Sequence, residues 1–359
     1  MKPIYKNIKE RFLFLYITEA CNLRCRHCYL GNKRLNRAKR MSVPSARFIL
    51  DYFKTTGGHD KLYLIGGEPT MHPQLNEIIN AGIEKKYSIT ISTNGLFDKK
   101  IFKILTAEKI ASLNISLDSW IPEEFQKIRS VPKKSFNKII DNIKTGINNG
   151  LQVRVMCTVS NINSKNALGM INFLENLGVH TLSFHNLGIT GNAVNFLKPL
   201  SPLEWIDFYN SIEKSPPTSR MAVYYPPTFI KKDDIEKYIE RGYPGCPGRT
   251  LDRPHVLPDG KIYFCPLFMD YDIYGAKIKN GYFSFNKEYS ELNLYYNPKN
   301  YCITGCGLNN LCSGECAAFS YINAYKNFYS CDKNIIPLCI LWTTYSWDKK
   351  PQTLIHDFR

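Results

Sequence analysis

The sequence lacks features that define several large classes of protein. It has no apolar run of the roughly 18 residues that a membrane span needs, and it has no internal repeat or low-complexity tract. Its N-terminus, MKPIYKNIKER, carries charges where a secretory signal peptide has its apolar stretch. These absences argue against a membrane protein and a secreted protein held by disulfide bonds, and they predict a cytoplasmic globular chain.

Acidic side chains are also scarce. The 359 residues include 31 Asp and Glu against 47 Lys and Arg, which gives a net charge of +16. Such a surplus favours an acidic partner, such as nucleic acid, an anionic peptide or a phosphate group. A lysine-rich surface that only aids solubility explains the charge equally well. The most basic stretch, residues 32–40, is likewise either a dock for an acidic leader peptide or a solvated loop.

Cysteine, by contrast, is abundant. In a reducing compartment, clustered cysteines more often bind metal than form disulfides. The twelve cysteines form an N-terminal cluster, one isolated residue and a C-terminal group: Cys21, Cys25 and Cys28; Cys157; and Cys246, Cys265, Cys302, Cys306, Cys312, Cys316, Cys331 and Cys339. This segregation predicts a domain over residues 1–195, a Pro-rich connecting segment over 196–244 and a second domain over 245–359.

The first half of the chain alternates between short apolar runs and helical patterns. The predicted strands are Phe12–Ile17, Lys61–Ile65, Tyr87–Ser92, Ser112–Leu117, Gln152–Val159 and His180–Phe184. The predicted helices are Val43–Phe53, Pro73–Glu84, Lys99–Thr106, Phe136–Asn148 and Lys165–Leu177. Six such units predict a parallel α/β sheet, which binds ligands at the C-terminal ends of its strands.

Motifs follow each of the first four predicted strands. They are Cys21-x3-Cys25-x2-Cys28, Gly66-Gly-Glu-Pro69, Thr93-Asn-Gly95 and Asp118-Ser119. Three thiolates on one short loop can hold three irons of a [4Fe–4S] cubane and leave the fourth iron open for a reactant. A zinc ion is the alternative, with His27 as the fourth ligand. Taken singly, the other motifs are explained as turns or, for Asp118, as a helix N-cap.

Together, the four ordered motifs resemble the signature of the radical S-adenosylmethionine (SAM) enzymes over about residues 10–190. The resemblance implies a partial (β/α)6 TIM-like barrel, a [4Fe–4S] cluster held by Cys21, Cys25 and Cys28, and SAM bound to the open iron. In that family, one electron from the cluster cleaves SAM to methionine and a 5′-deoxyadenosyl radical, which abstracts hydrogen from the substrate.

The resemblance also implies which residues surround SAM. Tyr29 is expected beside the adenine, Gly66 and Gly67 beside the methionine end, and Glu68 at the SAM amino group. Four side chains are expected along the ribose and carboxylate: Thr93, Asn94, Ser116 and Asp118. Arg154, on the fifth predicted strand, is either a partner of the SAM carboxylate or an outward-facing side chain.

The C-terminal third resembles a second module, the SPASM extension of radical SAM enzymes, which binds two auxiliary [4Fe–4S] clusters. A hairpin turn at Pro258-Asp-Gly260 lies between Cys246 and Cys265. By resemblance, Cys246, Cys265 and Cys316 serve the nearer cluster. The farther cluster takes Cys306, Cys312, Cys331 and, as its fourth ligand, Cys302.

This C-terminal pattern departs from the family in two ways. Three residues separate Cys302 from Cys306, where the usual spacing is two. The nearer cluster lacks an obvious fourth thiolate, and Cys339 could complete either cluster. Zinc remains the alternative for this region, and Cys157 is expected to be a buried core thiol.

The substrate is predicted from the habits of SPASM enzymes, which mostly act on peptides or proteins. A ribosomally made peptide that is crosslinked, thioether-bridged or epimerised is therefore the leading expectation. Sulfatase maturation is disfavoured because Pro266 stands where those enzymes carry Asp. No N-terminal leader-binding domain fits before Phe12, so a separate recognition protein or direct docking is required.

Other functions remain open. One alternative is the same chemistry on a sugar, nucleoside or aminoglycoside, with Cys157 or Cys339 as a hydrogen-atom donor if the reaction is an epimerisation. A more remote alternative is a zinc-containing nucleic-acid-binding protein. The enzyme hypotheses also require an electron donor such as flavodoxin or ferredoxin.

Overall fold

The computed structural model describes residues 11–214, 221–236, 253–287, 318, 334–337 and 344–345. Of the predicted auxiliary-cluster ligands, Cys265 lies inside this part of the chain. The others lie outside the described residues: Cys246, Cys302, Cys306, Cys312, Cys316, Cys331 and Cys339. None of the described helices has the length and hydropathy needed to cross a bilayer.

The described residues form fourteen strands and eight α-helices, which alternate through the first two hundred residues. The strands are β1 (Phe12–Thr18), β2 (Lys61–Gly66), β3 (Ser88–Thr93), β4 (Ser112–Ser116), β5 (Val153–Val159), β6 (Thr181–Asn186), β7 (Ala222–Tyr225), β8 (Phe229–Lys231), β9 (His255–Val256), β10 (Lys261–Tyr263), β11 (Ala276–Lys279), β12 (Tyr282–Phe285), β13 (Ile335–Pro337) and β14 (Thr344–Tyr345). The α-helices are α1 (Gly31–Leu35), α2 (Val43–Gly57), α3 (Leu75–Glu84), α4 (Pro122–Arg129), α5 (Lys134–Asn148), α6 (Gly169–Asn176), α7 (Ala193–Phe196) and α8 (Pro202–Lys214).

Seven parallel strands form the centre of one large sheet. β1 to β7 are neighbours in sequence order, and the described sheet continues through β9, β10, β11 and β12 at one end and β14 at the other. Sequential parallel order with helical crossovers winds the chain in one direction, and the sheet does not close. The predicted α/β fold with a partial barrel is therefore confirmed, with β8 and β13 forming a separate two-stranded sheet.

The two faces of the barrel sheet differ in chemistry. Helices cover one face, where Gly82 of α3 lies against Leu62 and Ile89, and Gly146 of α5 lies against Leu113 and Val153. Because side chains alternate along a strand, the intervening residues point to the opposite, inner face. There β4, β5 and β6 present mainly polar side chains, among them Asn114, Ser116, Arg154, Thr158, Ser183 and His185.

The structure differs from the predicted elements in several places. Lys99–Lys103 is a short 3-10 helix rather than the predicted helix over 99–106. Two short helices that the pattern did not predict, α1 and α4, flank the cysteine loop. The predicted connecting segment contains α8 and β7, and β7 pairs with β6, so the barrel sheet extends beyond residue 195.

The predicted hairpin is confirmed. β9 and β10 are antiparallel around Pro258-Asp-Gly260, where Gly260 has φ +79°. β9 also pairs in parallel with β1, with His255 opposite Phe14. The hairpin that ends at Cys265 is therefore part of the same sheet as the strand that leads to Cys21.

Candidate functional site

The three N-terminal cysteines lie on the loop after β1, at the C-terminal end of the barrel. Cys25 is buried, whereas Cys21 and Cys28 are half-buried. The loop backbone is attached to α4, since the Arg26 N–H donates to the Ile128 carbonyl at 2.9 Å. Contacts from the β2, β3 and β6 ends fix the rest of the loop.

The loop after β2 lies directly against the cysteine loop. The N–H groups of Gly67 and Glu68 donate to the carbonyls of Thr18 and Ala20, both at 2.8 Å. A Cβ on Gly67 would lie 2.4 Å from the Ala20 oxygen, and one on Gly66 would lie 2.2 Å from that of Thr18. Glycine is required here because two backbones meet, and the expected place of Gly66 and Gly67 beside the methionine end of SAM stays a prediction.

Glu68 ties the β2 and β3 loops together. Its fully buried carboxylate accepts hydrogen bonds from the hydroxyls of Thr70 and Thr93, at 2.6 and 2.7 Å. It also accepts from the backbone N–H groups of Thr70 at 3.0 Å and Asn94 at 2.7 Å. Burial raises the pKa of Glu68, although these hydrogen bonds act in the opposite direction. Both oxygens thus organise the loops, and the expected contact of Glu68 with SAM stays a prediction.

Asn94 joins the β3 loop to the cysteine loop. Its Nδ2 donates to Asn22 Oδ1 at 2.7 Å and lies 3.8 Å from Cys21 Sγ. The Leu23 backbone N–H donates to the same sulfur at 3.4 Å. Two donors therefore point at Cys21, which stabilises its thiolate form.

A buried ion pair lies beside Cys25. Arg129, at the end of α4, donates from Nε to Asp118 Oδ2 at 2.5 Å and from Nη1 to Cys25 Sγ at 3.7 Å. The other oxygen of Asp118 accepts from the Thr158 N–H at 3.0 Å. Burial alone would raise the pKa of Asp118, but Arg129 and His27 hold it below its usual value. The Asp118 carboxylate is thus occupied by protein groups, and sequence reasoning missed its partner Arg129.

His27, which lies between Cys25 and Cys28 in the sequence, is directed at Asp118. Its Nδ1 is 3.8 Å from Asp118 Oδ2. Burial lowers the pKa of His27 to about 4, so the ring is neutral at pH 7.

Asn192, after β6, is a second residue that sequence reasoning missed. Its Nδ2 donates to the carbonyl of Cys25 and to Asn32 Oδ1, both at 3.0 Å, and its backbone N–H donates to the carbonyl of Cys28 at 2.9 Å. The preceding Gly191 donates its N–H to Asp270 at 3.0 Å. The residues after the C-terminal hairpin are thereby linked to the cysteine loop.

The basic segment 32–40 is partly structural. Arg34 is buried and donates to Glu19 at 3.3 Å and to the Met269 carbonyl at 2.9 Å. Arg37 pairs with Glu19 at 2.8 Å and with Asp259 at 3.2 Å. Two of the five cations, Arg34 and Arg37, thus attach this segment to the residues in and after the hairpin. The other three, Lys33, Lys39 and Arg40, are exposed.

The remaining predicted residues lie at the same end of the barrel or on its inner face. Tyr29 is hydrogen-bonded to Tyr16 at 2.8 Å. Ser116 and Arg154 are half-buried on β4 and β5, and Cys265 is buried at the end of the hairpin. Cys157 is fully buried on β5, as expected for a core thiol, and donates to the Asp118 carbonyl at 3.4 Å.

The cysteine loop fits an iron–sulfur cluster. Within the described residues, no three His, Cys, Asp or Glu side chains converge closely enough for one metal ion. Arg129 Nη2 is buried beside Cys25 without a hydrogen-bond partner in the described part of the chain. An anionic group bound at the loop would satisfy that donor.

Burial also affects how the thiols ionise. It raises the pKa of Cys21 to about 11 and that of Cys28 to about 12. Without a bound cation these thiols are protonated at pH 7, so cluster binding must release protons.

Residues 15–174, which contain the partial barrel and the three-cysteine loop, match the family model of the radical SAM superfamily. This part of the chain is therefore similar to radical SAM enzymes, and the prediction of an enzyme is confirmed. The family implies SAM and a [4Fe–4S] cluster as cofactors.

Curated proteins match about seven-tenths of the chain. Molybdenum cofactor biosynthesis protein 1 of Mus musculus is 27% identical over 269 residues, which is 72% of this chain and 41% of the mouse protein. The chain thus spans about two-fifths of the length of that relative. The GTP 3′,8-cyclase of Aquifex aeolicus (strain VF5) is 28% identical over 278 residues, covering 72% of this chain and 82% of that protein.

Solved structures match a larger share of the chain. Streptococcus suis SuiB bound to precursor peptide SuiA has a TM-score of 0.67 and 17% identity, covering 90% of this chain and 75% of SuiB. The structure of anSMEcpe with bound AdoMet and Cp18Cys peptide has a TM-score of 0.59 and 16% identity, covering 89% of this chain and 96% of anSMEcpe. At these identities the likeness establishes the fold alone.

Proposed function

We propose that the protein is a radical SAM enzyme in which Cys21, Cys25 and Cys28 hold the [4Fe–4S] cluster. The observation that carries this proposal is the cysteine loop itself, with donors from Asn94 and Arg129 directed at two of its sulfurs. When bound, the cluster supplies the electron that cleaves SAM to methionine and a 5′-deoxyadenosyl radical. The protein's part is to hold the loop rigid, exclude water from Cys25 and neutralise charge beside it.

SAM cleavage tests this assignment. The anaerobically reconstituted enzyme, reduced in the presence of SAM, is expected to release 5′-deoxyadenosine. Cys21→Ala is expected to abolish the release, whereas Cys157→Ala, which changes a buried thiol away from the loop, retains it. Release that survives Cys21→Ala contradicts the assignment.

The substrate we favour is a ribosomally made peptide. Support comes from structures whose fold covers about nine-tenths of this chain, one of which contains the precursor peptide SuiA. The exposed cations Lys33, Lys39 and Arg40 beside the cysteine loop suit an acidic peptide. On this proposal the C-terminal cysteines hold two auxiliary clusters in a SPASM-like domain, and flavodoxin or ferredoxin supplies electrons.

A small polar molecule is the second candidate substrate. The GTP 3′,8-cyclase relatives favour it, and so does the inner face of the barrel. Asn114 Oδ1, Ser183 Oγ and His185 Nε2 are buried there without hydrogen-bond partners among the described residues. Burial lowers the pKa of His185 to about 4, so its ring offers neutral hydrogen bonds to a ligand.

The two candidates differ in what accelerates SAM cleavage. The enzyme is incubated with short acidic peptides and, separately, with GTP. We expect the peptides to increase 5′-deoxyadenosine release and to carry a mass change. An increase with GTP and none with the peptides contradicts the peptide proposal and favours the second candidate.

A further inference from the structure

Arg129 lies at the end of α4, directly against the cysteine loop. It is 3% exposed and contacts both the Asp118 carboxylate and the Cys25 sulfur. We propose that Arg129 is a positioning residue that holds the Cys25 thiolate and stabilises the negative charge that the cluster gains on reduction. This inference rests on the proposed function of the cysteine loop.

The surrounding structure fixes the guanidinium in place. Asp118 is anchored by the Thr158 N–H at 3.0 Å, and its backbone carbonyl accepts from Asn163 Nδ2 at 2.5 Å. Helix α4 ends directly after Arg129, because Ser130 adopts a left-handed conformation with φ +55°. Backbone and side chain of Arg129 are therefore both held relative to the cysteine loop.

Arg129 presents its cation directly to Cys25. Its Nη1 donates to the Cys25 sulfur at 3.7 Å, whereas its Nε donates to the Asp118 carboxylate at 2.5 Å. The guanidinium therefore lies between the carboxylate and this sulfur. Hydrogen bonds to cluster sulfurs, nearby charge and burial set the reduction potential of iron–sulfur clusters. A cation beside Cys25 therefore favours the reduced cluster, which must form before SAM is cleaved.

The test is a redox titration of the reconstituted full chain, followed by electron paramagnetic resonance. The signal to follow is that of the cluster that responds to added SAM. Arg129→Gln removes the cation and leaves Asp118 without its arginine partner. At a fixed potential, we expect the ratio of reduced to oxidised cluster to fall about tenfold, which is 59 mV for one electron.

Two further variants separate charge from structure. The double variant Arg129→Gln, Asp118→Asn removes both charges, so we expect a smaller shift of the reduction potential in the same direction. It also gives a measurement if Arg129→Gln alone does not bind its cluster. Arg34→Gln is the matched control, because Arg34 is also buried and paired, with Glu19 at 3.3 Å. It is expected to lower the melting temperature of the protein without shifting the potential.

The outcomes are distinct. An unchanged reduction potential in Arg129→Gln overturns the inference. If that variant does not bind the cluster, an unchanged potential in the double variant overturns it. An equal shift of the potential in Arg34→Gln also overturns it, because the shift would then come from a general loss of stability and not from the charge of Arg129. If the unchanged enzyme has no SAM-responsive cluster, the proposed function fails, and the role of Arg129 fails with it.

Discussion

At the scale of single residues, the motif side chains mostly bind one another. Glu68 accepts hydrogen bonds from Thr70, Thr93 and Asn94, and Asp118 pairs with Arg129. Both carboxylates and Arg129 are buried, where an unpaired polar group is costly. The motifs therefore build a rigid frame around the cysteine loop.

Gly67 gives a direct test of that frame. Gly67→Ala puts a methyl group against the Ala20 and Glu19 carbonyls, which forces the two loops apart. We expect a loss of about 1–3 kcal/mol in the free energy of unfolding and weaker iron retention, measured by denaturation and metal analysis. Gly58→Ala is the control, because a Cβ there meets open space and its φ of +62° adds only about 1–2 kcal/mol of strain. Normal iron retention in Gly67→Ala contradicts the argument.

The sequence revealed the site residues that lie close together along the chain and missed those that come from far away. The three cysteines lie within eight residues, so their spacing alone indicated a metal loop. Arg129 and Asn192 reach Cys25 from 104 and 167 residues away. No local pattern marks either residue, because each is brought to the loop by the barrel strands.

At the scale of elements, the alternation of apolar runs predicted the six barrel strands within one or two residues. Strands of a parallel sheet covered by helices read as short, nearly continuous apolar runs, which makes them recognisable. Helix α4 was missed because its eight residues have a low mean hydropathy and include Pro122 at the start. It is nevertheless the element that carries Arg129 to the site.

Asn192, on the loop after β6, is predicted to help the cysteine loop retain iron. Asn192→Ala removes the hydrogen bonds from Nδ2 to the Cys25 carbonyl and to Asn32. Leaving these groups unpaired costs about 1–3 kcal/mol, so iron is expected to leave the protein several-fold faster in the presence of a chelator. Asn148→Ala, on the exposed end of α5, is the control. Equal rates of iron loss in the two variants count against a clamping role for Asn192.

At the scale of the whole molecule, one sheet connects the cysteine loop to the C-terminal hairpin. His255 of β9 stacks on Phe14 of β1 at 4.4 Å and lies 3.3 Å from the Tyr16 hydroxyl. The barrel and the hairpin of the C-terminal region, which the sequence analysis assigned to two domains, therefore share a core. The sequence could not show this, because β9 joins a strand more than two hundred residues earlier.

This shared core predicts a loss of stability in mild acid. Burial lowers the pKa of His255 to about 3, whereas an unfolded histidine titrates near 6.5. Below pH 6.5 the unfolded chain binds more protons, so stability falls as the pH falls, by roughly 2 kcal/mol for His255 at pH 5. Urea denaturation of the cluster-free protein at pH 7 and pH 5 measures this loss. His255→Phe, which keeps a ring beside Phe14, is expected to reduce it by that amount; an unchanged loss contradicts the assignment.

The most direct test of the account is metal analysis of the reconstituted protein beside its Cys21→Ala, Cys25→Ala, Cys28→Ala variant. We expect the variant to contain about four fewer irons per chain, the content of one [4Fe–4S] cluster, and to release no 5′-deoxyadenosine from SAM. Equal iron in the two proteins, or zinc in place of iron with no SAM cleavage, would contradict the account.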